Sequence, residues 1–514
     1  MRPDEFRGTI FSLLDKLLTG NPMNVLLVNP QCADTFWSFK YALRFIARKV
    51  ANPPLGLLTV SALLPAAWEK KLVDMNLSPL REEDVRRADL VFISAMDIQR
   101  HSVLNIIRMC RNLNKKMVAG GPLFTSEPEE WPMIDYLVLN EAEITLSKFL
   151  EDLEKGTPKH LYQTNEFPSL NTSPVPDYYL LNLNRYATPS LQYSRGCPFD
   201  CEFCDITALF GRKVRTKTAE QVVAELENLF RLNHRGNIFF VDDNFIGNKA
   251  RLKKELLPKL IAWMEKRNYP FRFNTEASIN LADDEELMRL MGKAGFESVF
   301  VGIETPEQAS LAGCNKMQNT GRNLVEDVRK MQRFGLQVSG GFIVGFDHDS
   351  PSVFQRQIDF IQQSGIVTAM VGLLNAPKKT KLYQRLKDEK RLLDVSSGNN
   401  TDFSMNFIPR MNIDFLMEGY RQVLKEIYSY KPYYQRVRQF LKIYKPGLHF
   451  HRKMTFGNIK ALIRSMLVLG VLKQGQFYYW RLFAWTIFHC PENFPEAITL
   501  AIYGYHFRKI YSIA

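Results

Sequence analysis

The sequence predicts an α/β protein in which a doubly wound, Rossmann-like domain precedes a six-stranded β/α partial barrel and a helical C-terminal domain. Strand and helix patterns alternate through residues 23–160, alternate again with a longer period through residues 189–393, and give way to helices in 394–514. Alternating β and α segments form parallel sheets, because each helix carries the chain back to the same edge. The 514 residues accommodate about three domains.

The first domain is predicted from short buried strands with helices between them. We expect strands at 23–29, 71–75, 90–94, 117–119 and 136–139, and helices that include 103–112 and 142–155. Open parallel sheets bind ligands outside the carboxyl ends of their strands. Candidate ligand-binding residues at those ends are Ser94, Met96, Gly120 and Gly121. Before this domain, residues 1–22 carry apolar side chains at helical spacing and predict an amphipathic docking helix.

The second domain follows a segment rich in Pro, Asn, Thr and Ser, residues 161–188, which predicts a linker. We expect barrel strands at 190–194, 237–241, 271–276, 298–303, 338–344 and 368–374. Six such units make a partial barrel, whose catalytic residues come from the carboxyl ends of the strands.

The composition is that of an ordinary globular protein, with 46% apolar and 24% charged residues. Seven cysteines are too few for a disulfide scaffold. No window of about 20 residues is apolar enough to span a bilayer, and the N-terminus lacks the order of a signal peptide. We therefore expect a cytoplasmic protein.

The positive charge is concentrated at the C-terminus. Of a net charge of +13, residues 394–514 contribute about +9, from 16 Lys and Arg against 7 Asp and Glu, and they hold 24 of the 62 aromatic residues. This composition suits contact with lipid headgroups, with peripheral attachment at the inner membrane face, or with a large amphipathic ligand. A helical cap with a basic solvated face explains it equally well.

Three cysteines stand together in the segment RGCPFDCEFCD, directly after the first predicted barrel strand: Cys197, Cys201 and Cys204. Zinc normally takes four ligands, and the next histidine, His234, is too distant in sequence to complete a set. A [4Fe–4S] cluster has four irons that each take a ligand. Three thiolates leave the fourth iron open for a substrate or cofactor.

This Cys-x3-Cys-x2-Cys motif resembles the radical S-adenosylmethionine (SAM) superfamily. The resemblance implies that the three cysteines are the catalytic and metal-binding residues, and that the cluster cleaves SAM to a 5′-deoxyadenosyl radical. It also implies SAM-binding roles for Phe203 within the motif and for residues at successive strand ends. These are Asp242, Asp243, Asn244, Glu276, Ser278, Glu304, Gly341 and Ile343.

The domain order resembles the cobalamin (B12)-binding class of radical SAM enzymes. Segments such as RFIARKVANPPLGLLTVSALLP and FFVDDNFIGNK resemble the hopanoid C-2 methylase group. The resemblance implies a cobalamin at Ser94, Met96, Gly120 and Gly121. The sequence departs from the family pattern at two places. The loop NPQCADTFWSF has no His to ligate cobalt, and Asn140 replaces a Gly that the family usually has.

Three functions fit these observations to different degrees. The first is cobalamin-dependent C-methylation of a hopanoid or isoprenoid-like lipid, with an electron donor such as flavodoxin or ferredoxin. The second is a non-methylating cyclisation, coupling or rearrangement of a lipid or tetrapyrrole, with a cobalamin-free N-terminal domain. The third is RNA modification, but the sequence has no RNA-binding motif, so we expect no nucleic-acid partner.

Overall fold

The computed structural model describes residues 22–393, 397–399, 401–447 and 456–513. Within them the predicted fold class is confirmed: two separate six-stranded parallel sheets are followed by a helical C-terminal region. The amphipathic helix predicted over residues 1–22 lies outside the described residues, apart from its last residue.

The first sheet is parallel throughout, in the order β2-β1-β3-β4-β5-β6. Its sixth strand lies in the segment predicted as a linker, so the sheet extends two residues into that segment. The strands are β1 (Asn24–Asn29), β2 (Glu69–Asp74), β3 (Leu90–Ser94), β4 (Lys116–Gly120), β5 (Tyr136–Val138) and β6 (Leu161–Tyr162).

Both faces of the first sheet are buried, which explains the continuous apolar run of its first strand. Val25 and Leu27 pack in the core on one face, and Leu26 and Val28 pack in the core on the other. The helices of this part of the chain are α1 (Lys40–Leu43), α2 (Leu55–Leu63), α3 (Glu82–Arg87), α4 (Arg100–Asn112), α5 (Pro122–Ser126) and α6 (Ala142–Glu154). All but α1 contribute side chains to the cores on the two faces, whereas Ala42 of α1 packs in the core of the barrel.

The strand predicted at 190–194 is split in the structure. Ser190–Leu191 (β7) pairs with the second sheet, whereas Ser194–Arg195 (β8) forms an antiparallel ribbon with Arg215–Thr216 (β9). The cause is the buried carboxylate of Asp242, which accepts hydrogen bonds from the backbone N–H groups of Tyr193 and Ser194 and bends the chain out of the sheet.

The second sheet has the order β14-β13-β12-β11-β10-β7 and is parallel throughout. Its remaining strands are β10 (Gly236–Phe240), β11 (Phe271–Glu276), β12 (Phe296–Glu304), β13 (Gln337–Val344) and β14 (Ala369–Leu373). Its helices are α7 (Ile206–Phe210), α8 (Ala219–Arg231), α9 (Lys249–Arg251), α10 (Leu257–Lys266), α11 (Glu285–Ala294), α12 (Gln308–Gly313), α13 (Leu324–Arg333), α14 (Val353–Ser364) and α15 (Lys381–Asp388).

The C-terminal region is helical, as its loss of strand pattern predicts. Its apolar faces share one core with the partial barrel, and Tyr420 and Tyr428 donate their hydroxyls to carbonyls of β14. The helices are α16 (Ile413–Tyr428), α17 (Tyr430–Ile443), α18 (Phe456–Leu467), α19 (Gln476–His489) and α20 (Phe494–Ile510).

Buried ion pairs join the two sheet domains. The Arg195 guanidinium lies 2.6 Å from a carboxylate oxygen of Glu141 and 2.9 Å from one of Glu143, and Arg215 lies 2.7 Å from Glu141. The two glutamate side chains are 2% exposed, so their charges depend on these arginines for compensation. At the other side of the interface, Lys378 pairs with Glu127.

Replacing Arg195 by leucine is expected to lower the free energy of unfolding by about 3 kcal/mol, because it leaves Glu143 buried without its cation. Chemical denaturation of the ligand-free protein measures this loss. The matched control is Arg86→Leu, which removes an exposed pair with Glu82 and is expected to change stability by less than about 0.5 kcal/mol. Equal effects of the two substitutions would contradict the proposed role of Arg195.

Candidate active site

The three cysteines lie on the loop that leaves the β8–β9 ribbon. Gly196, immediately before the first cysteine, has φ +90°, and a Cβ there would lie 2.9 Å from the carbonyl oxygens of Gly211 and Lys213. Glycine is therefore required at this turn. The Cys197 N–H donates to the Gly211 carbonyl at 3.2 Å, and the Cys204 N–H donates to the Cys201 carbonyl at 3.2 Å.

The thiols are close enough to influence one another. Burial raises the pKa of Cys197 and of Cys204, and the neighbouring Cys201 adds to both shifts. Among the described residues, no three Cys, His, Asp or Glu side chains are gathered tightly enough to hold a single metal ion. A cubane cluster instead takes one thiolate on each of three separate irons, which a wider triad on one loop fits.

Two side-chain amides from other elements reach the cysteine sulfurs. The Asn244 Nδ2 lies 4.0 Å from the Cys197 Sγ, and the Gln318 Nε2 lies 3.6 Å from the Cys201 Sγ. N–H donors to thiolate sulfur stabilise the charge and raise the reduction potential of a cluster. Asn244 also accepts hydrogen bonds from the backbone N–H and the hydroxyl of Ser278, which fix its orientation.

The carboxylates predicted after β10 and at the end of β11 differ in their partners. Asp242 accepts hydrogen bonds from the backbone, whereas the carboxylates of Asp243 and Glu276 have no ion-pair partner among the described residues. Asp242 is fully buried, and both of its carboxylate oxygens accept hydrogen bonds from Tyr193 and Ser194. Asp243, by contrast, has a buried Oδ2 with no hydrogen-bond partner. Burial raises the pKa of Asp243 to about 7 and that of Glu276 to about 8. Neighbouring carboxylates add to both shifts, Asp242 and Asp205 for Asp243, and Asp243 and Asp242 for Glu276. A cationic ligand would relieve this repulsion.

The fourth strand end contributes an ion pair that the sequence does not reveal. Lys316 lies 2.7 Å from Glu304, and a Cβ on Gly302 would collide with both side chains. Burial opposes the charge of Lys316, but Glu304 and Cys201 hold its pKa above the ordinary value. Lys316 therefore places a fixed positive charge beside the cysteine thiols. Its segment, LAGCNKMQN, carries no recognisable motif, which is why sequence analysis misses it.

The other predicted SAM-binding residues lie near this pair. Lys316 Nζ is 5.9 Å from the ring centre of Phe203, and partly buried Ile343 packs in the same apolar cluster as Phe203. Gly341 lies against the ring of Phe300, 2.7 Å from where its Cβ would be. Of the predicted strand-end residues, Asn244 contacts the cluster loop directly and Glu304 acts on it through Lys316.

A cavity of about 270 Å³ lies between the first sheet and the partial barrel. Of the four candidate ligand-binding residues, Ser94, Gly120 and Gly121 line it, whereas Met96 lies outside this lining and is 51% exposed. Gly121 has φ +92°, so a side chain there would be strained. The barrel side is formed by Gln192, Arg195, Leu209, Phe210 and Val241. The apolar lining and the glycine backbone fit a flat organic cofactor at the carboxyl edge of the sheet.

The loop after β1 is held by protein contacts and offers no histidine. The Cys32 N–H donates to Asn76 at 2.8 Å, and Gln99 donates to the Pro30 carbonyl at 2.6 Å. Burial raises the pKa of Cys32 to about 11, so the thiol stays protonated at neutral pH. His101 lies on α4 and is exposed.

The second departure from the family pattern has a conformational explanation. Asn140 adopts φ +63°, a left-handed conformation that asparagine tolerates better than most residues other than glycine. Its side chain accepts a hydrogen bond from the Thr164 N–H. The backbone shape that a glycine provides is therefore kept.

The cluster loop and the edge of the first sheet adjoin. Burial raises the pKa of Asp205, next to Cys204, and Asp97, which follows β3, raises it further. Both domains thus contribute to one region, with the thiols on one side and the sheet edge on the other.

None of the described helices combines the length and the apolar content that a bilayer crossing requires.

Family models match three successive parts of the chain. A B12 binding domain matches residues 44–150, the Radical SAM superfamily matches residues 191–361, and a domain of unknown function, DUF4070, matches residues 380–514.

Curated relatives match over most of the chain. An uncharacterized methyltransferase of Synechocystis is 42% identical over 492 residues, which are 95% of this chain and 92% of the relative. The hopanoid C-2 methylase of Rhodopseudomonas palustris is 36% identical over 386 residues, which are 74% of this chain and 73% of that protein.

Solved structures share the fold at low sequence identity. The cobalamin-dependent SAM radical enzyme OxsB, with aqua-cobalamin bound, has a TM-score of 0.61 at 15% identity and covers 98% of this chain and 80% of its own. The radical SAM methyltransferase TsrM of Kitasatospora setae, with cobalamin and a [4Fe–4S] cluster, has a TM-score of 0.57 at 15% identity, with coverage of 94% and 99%.

Replacing Cys201 by serine is expected to abolish 5′-deoxyadenosine formation and to lower the iron content, because one iron loses its thiolate. Iron and sulfide analysis after anaerobic reconstitution, together with chromatography of SAM products, measures both effects. Cys110→Ser, at a buried cysteine of the first domain, is the control and should keep both iron and activity. SAM cleavage by the Cys201 variant at the normal rate would refute the assignment.

The unpartnered carboxyl groups predict a pH-dependent stability of the ligand-free protein. The pKa values of Asp243 and Glu276, about 7 and about 8, lie above those of the unfolded chain, so the folded state favours their protonated forms. The free energy of unfolding should fall as the pH rises from about 4, the ordinary carboxyl value, to these values, and should level off above them.

Glu276→Gln should reduce this loss of stability between about pH 4 and about pH 8, measured by chemical denaturation. The exposed Glu286→Gln serves as the control and should leave the pH profile unchanged. Identical pH profiles of the wild type and Glu276→Gln would contradict the raised pKa of Glu276.

Proposed function

The chain belongs to the radical SAM enzymes that carry a B12-binding domain, and from this premise we propose that it catalyses cobalamin-dependent C-methylation of a hydrophobic substrate, a hopanoid or isoprenoid-like lipid. Its cofactors are a [4Fe–4S] cluster, SAM and cobalamin. The observation that carries the proposal is the meeting of the cysteine loop with the edge of the first sheet, marked by Asp205 and Asp97. The hopanoid methylase among the relatives supports the substrate class.

When bound, the cluster and SAM supply a radical that abstracts hydrogen, and cobalamin supplies a methyl group. In this proposal Cys197, Cys201 and Cys204 hold three irons. Asn244 and Gln318 donate to two of the sulfur atoms. Lys316 stabilises the thiolates of the loop by its positive charge. These residues keep the cluster charged and reducible within a buried site.

SAM orientation depends on the acids that have no protein partner. Asp243 and Glu276 are placed to accept hydrogen bonds from the ammonium group or the ribose hydroxyls of SAM, and a bound cation favours their ionised forms. Ser278 contributes through Asn244, whose oxygen it holds. Ile343 and Gly341 provide the apolar wall and the open backbone that an adenine ring requires.

The cavity between the domains is the place that we assign to cobalamin. Ser94, Gly120 and Gly121 expose backbone and a small hydroxyl there, and apolar side chains complete the lining. The absence of a histidine from the loop after β1 means that, on this proposal, the protein supplies no imidazole to cobalt from that position. Met96, exposed two residues beyond β3, is not among the lining residues, so we assign it no role in this site.

An aromatic wall supports a hydrophobic substrate. Trp37, from the first domain, meets Phe300 of β12 with ring centres 5.2 Å apart, and both side chains are partly buried. Phe300 alternates with the buried Val299 and Val301, so it points to the same face as Gly302 and its neighbouring Glu304–Lys316 pair. Water is displaced from such a surface at little cost, which favours an apolar substrate.

Two partners follow from this chemistry. Radical SAM chemistry requires one electron for each cleavage, for which we propose a flavodoxin or ferredoxin. A lipid substrate that stays in a bilayer requires the enzyme to reach the membrane face, so we also propose peripheral membrane contact.

A second candidate function is a radical rearrangement, cyclisation or coupling without methyl transfer. The histidine-free loop favours it, and the relatives include an anaerobic magnesium-protoporphyrin IX monomethyl ester cyclase of Cereibacter sphaeroides, 25% identical over 401 residues. The version of this function in which the N-terminal domain binds no cobalamin is not supported, because residues 44–150 match a B12 binding domain.

Product analysis separates the two functions. The chain is expressed anaerobically with hydroxocobalamin, reduced, and incubated with SAM and a hopanoid in detergent. We expect near-equal amounts of 5′-deoxyadenosine and S-adenosylhomocysteine and a product heavier by one methylene, because one SAM gives the radical and another restores the methyl group. The Cys201→Ser variant should yield no methylated product. Formation of 5′-deoxyadenosine with a converted substrate but without S-adenosylhomocysteine would refute methylation and favour the second function.

A further inference from the structure

The helical pair α18–α19 exposes an unusual number of large apolar side chains. On α18, Phe456, Ile459, Ile463 and Leu467 recur at helical spacing on the solvent side, and Phe456 is 82% exposed. On α19 the exposed residues are Phe477, Trp480, Ile487 and Phe488, and between the helices Val471 and Leu472 are exposed as well. Large exposed apolar surfaces of this kind mark sites of interaction. We call these ten residues the apolar face.

The charge around the apolar face has one sign. Residues 427–491 contain no Asp or Glu but include eleven Lys and Arg. Of these, Lys460, Lys473 and Arg481 lie on the helical pair and are exposed, and none of them pairs with a carboxylate of the described residues. Burial lowers the pKa of Arg438, and the nearby charge of Arg481 lowers it further, which indicates a concentration of positive charge. An anionic partner would relieve this repulsion.

The inner side of the helical pair is well packed, so the exposed side chains are not the result of a loose segment. The hydroxyls of Ser465 and Tyr479 are 2.8 Å apart in a buried hydrogen bond, and Trp480 donates its indole N–H to the Gly470 carbonyl at 2.9 Å. Arg464 donates to the carbonyl of Arg44 in the first domain at 3.0 Å. The pair is thus fixed to the segment that follows Trp37.

We propose that the α18–α19 pair is a membrane-docking surface that inserts its apolar face between the lipids of an anionic bilayer. Phe456, Phe477 and Phe488 enter the acyl boundary, and Trp480 lies at the headgroup level, where indole rings are favoured. Lys460, Lys473 and Arg481 pair with lipid phosphates. The surface gives the enzyme access to a lipid substrate in the bilayer. This purpose rests on the proposed function, whereas the membrane binding itself does not.

A bilayer fits this surface better than a second copy of the chain. Two like faces rich in Lys and Arg, with no acidic residue in 427–491, would repel each other in a symmetric dimer. An anionic membrane compensates the charge and buries the apolar side chains at once.

Co-sedimentation of the full chain with vesicles tests the proposal. The vesicles are phosphatidylcholine alone or phosphatidylcholine with about one third phosphatidylglycerol. We expect binding to the anionic vesicles that weakens in added salt and is much weaker on the neutral ones. The triple variant Phe456→Ser, Phe477→Ser, Phe488→Ser should lower the partition constant at least about tenfold. Lys460→Glu with Lys473→Glu should lower it by about fivefold or more for each residue.

Matched substitutions elsewhere provide the controls. Tyr179→Ser replaces an exposed aromatic residue outside the apolar face, and Lys254→Glu with Lys266→Glu repeats the charge reversal on the barrel. Both should bind vesicles as the wild type does. Circular dichroism and chemical denaturation check folding, which the substituted side chains, at 82%, 68% and 82% exposure, should not affect.

Three results would overturn the proposal. The wild type could pellet no more with anionic vesicles than without them, or the variants could bind as tightly as the wild type. Light scattering could also show a dimer that the triple serine variant dissociates, without vesicle binding, which would assign the face to a second copy.

The proposal and the enzymatic function fail in distinguishable ways. The triple variant should still methylate a substrate dissolved in detergent while losing activity on the same substrate in vesicles. Vesicle binding without any methylation, in detergent or vesicles, would refute the proposed reaction and retain the docking surface.

Discussion

A run of four residues, Ser194 to Cys197, links the main parts of the molecule, and the buried carboxylate of Asp242 fixes where that run begins. Asp242 holds the backbone of Tyr193 and Ser194 and turns the chain out of the second sheet. The next residue, Arg195, pairs with Glu141 and Glu143 of the first domain. Gly196 then makes the turn that brings Cys197 to the start of the cysteine loop. A single backbone path therefore sets both the position of the thiols and their distance from the first domain.

The site is electrostatically incomplete without its ligands. Burial and neighbouring carboxylates raise the pKa of Asp243 and of Glu276, and Lys316 holds a positive charge beside the thiols. The raised pKa values of the two acids mean that their ionised forms cost stability in the ligand-free protein, and a bound cation relieves this cost. The charge pattern of the ligand-free protein thus fits a cationic cofactor next to an anionic cluster, which is the arrangement that SAM on a [4Fe–4S] cluster requires.

The C-terminal region connects this chemistry to its surroundings. The tyrosines of α16 donate to β14, so the region is part of the barrel core rather than an appendage. Phe507 of α20 stacks on Phe36 at 4.3 Å, next to the Trp37 that meets Phe300. The same region thus supports the aromatic wall of the site from within and carries the apolar face of α18 and α19 outside.

The sequence by itself determined the fold class, the cysteine triad and most strand positions, because these depend on local pattern: apolar runs, helical spacing and the tight spacing of Cys197, Cys201 and Cys204. It also predicted that Asp243, Glu276 and Ser278 lie at one edge of the sheet, because residues at the ends of parallel strands meet there.

The remaining features of the site were decided by tertiary structure alone, because they depend on contacts between residues far apart in the chain. Asp242 has the same sequence signal as Asp243, yet its carboxylate is used by a backbone 48 residues away. Lys316 and Gln318 reach the cysteine loop from 115 or more residues further along the chain, and no local pattern marks them. Arg195 finds its partners Glu141 and Glu143 only when the first domain lies against the barrel. Side-chain direction and long-range pairing are properties of the folded packing, which the spacing of residues along the chain does not encode.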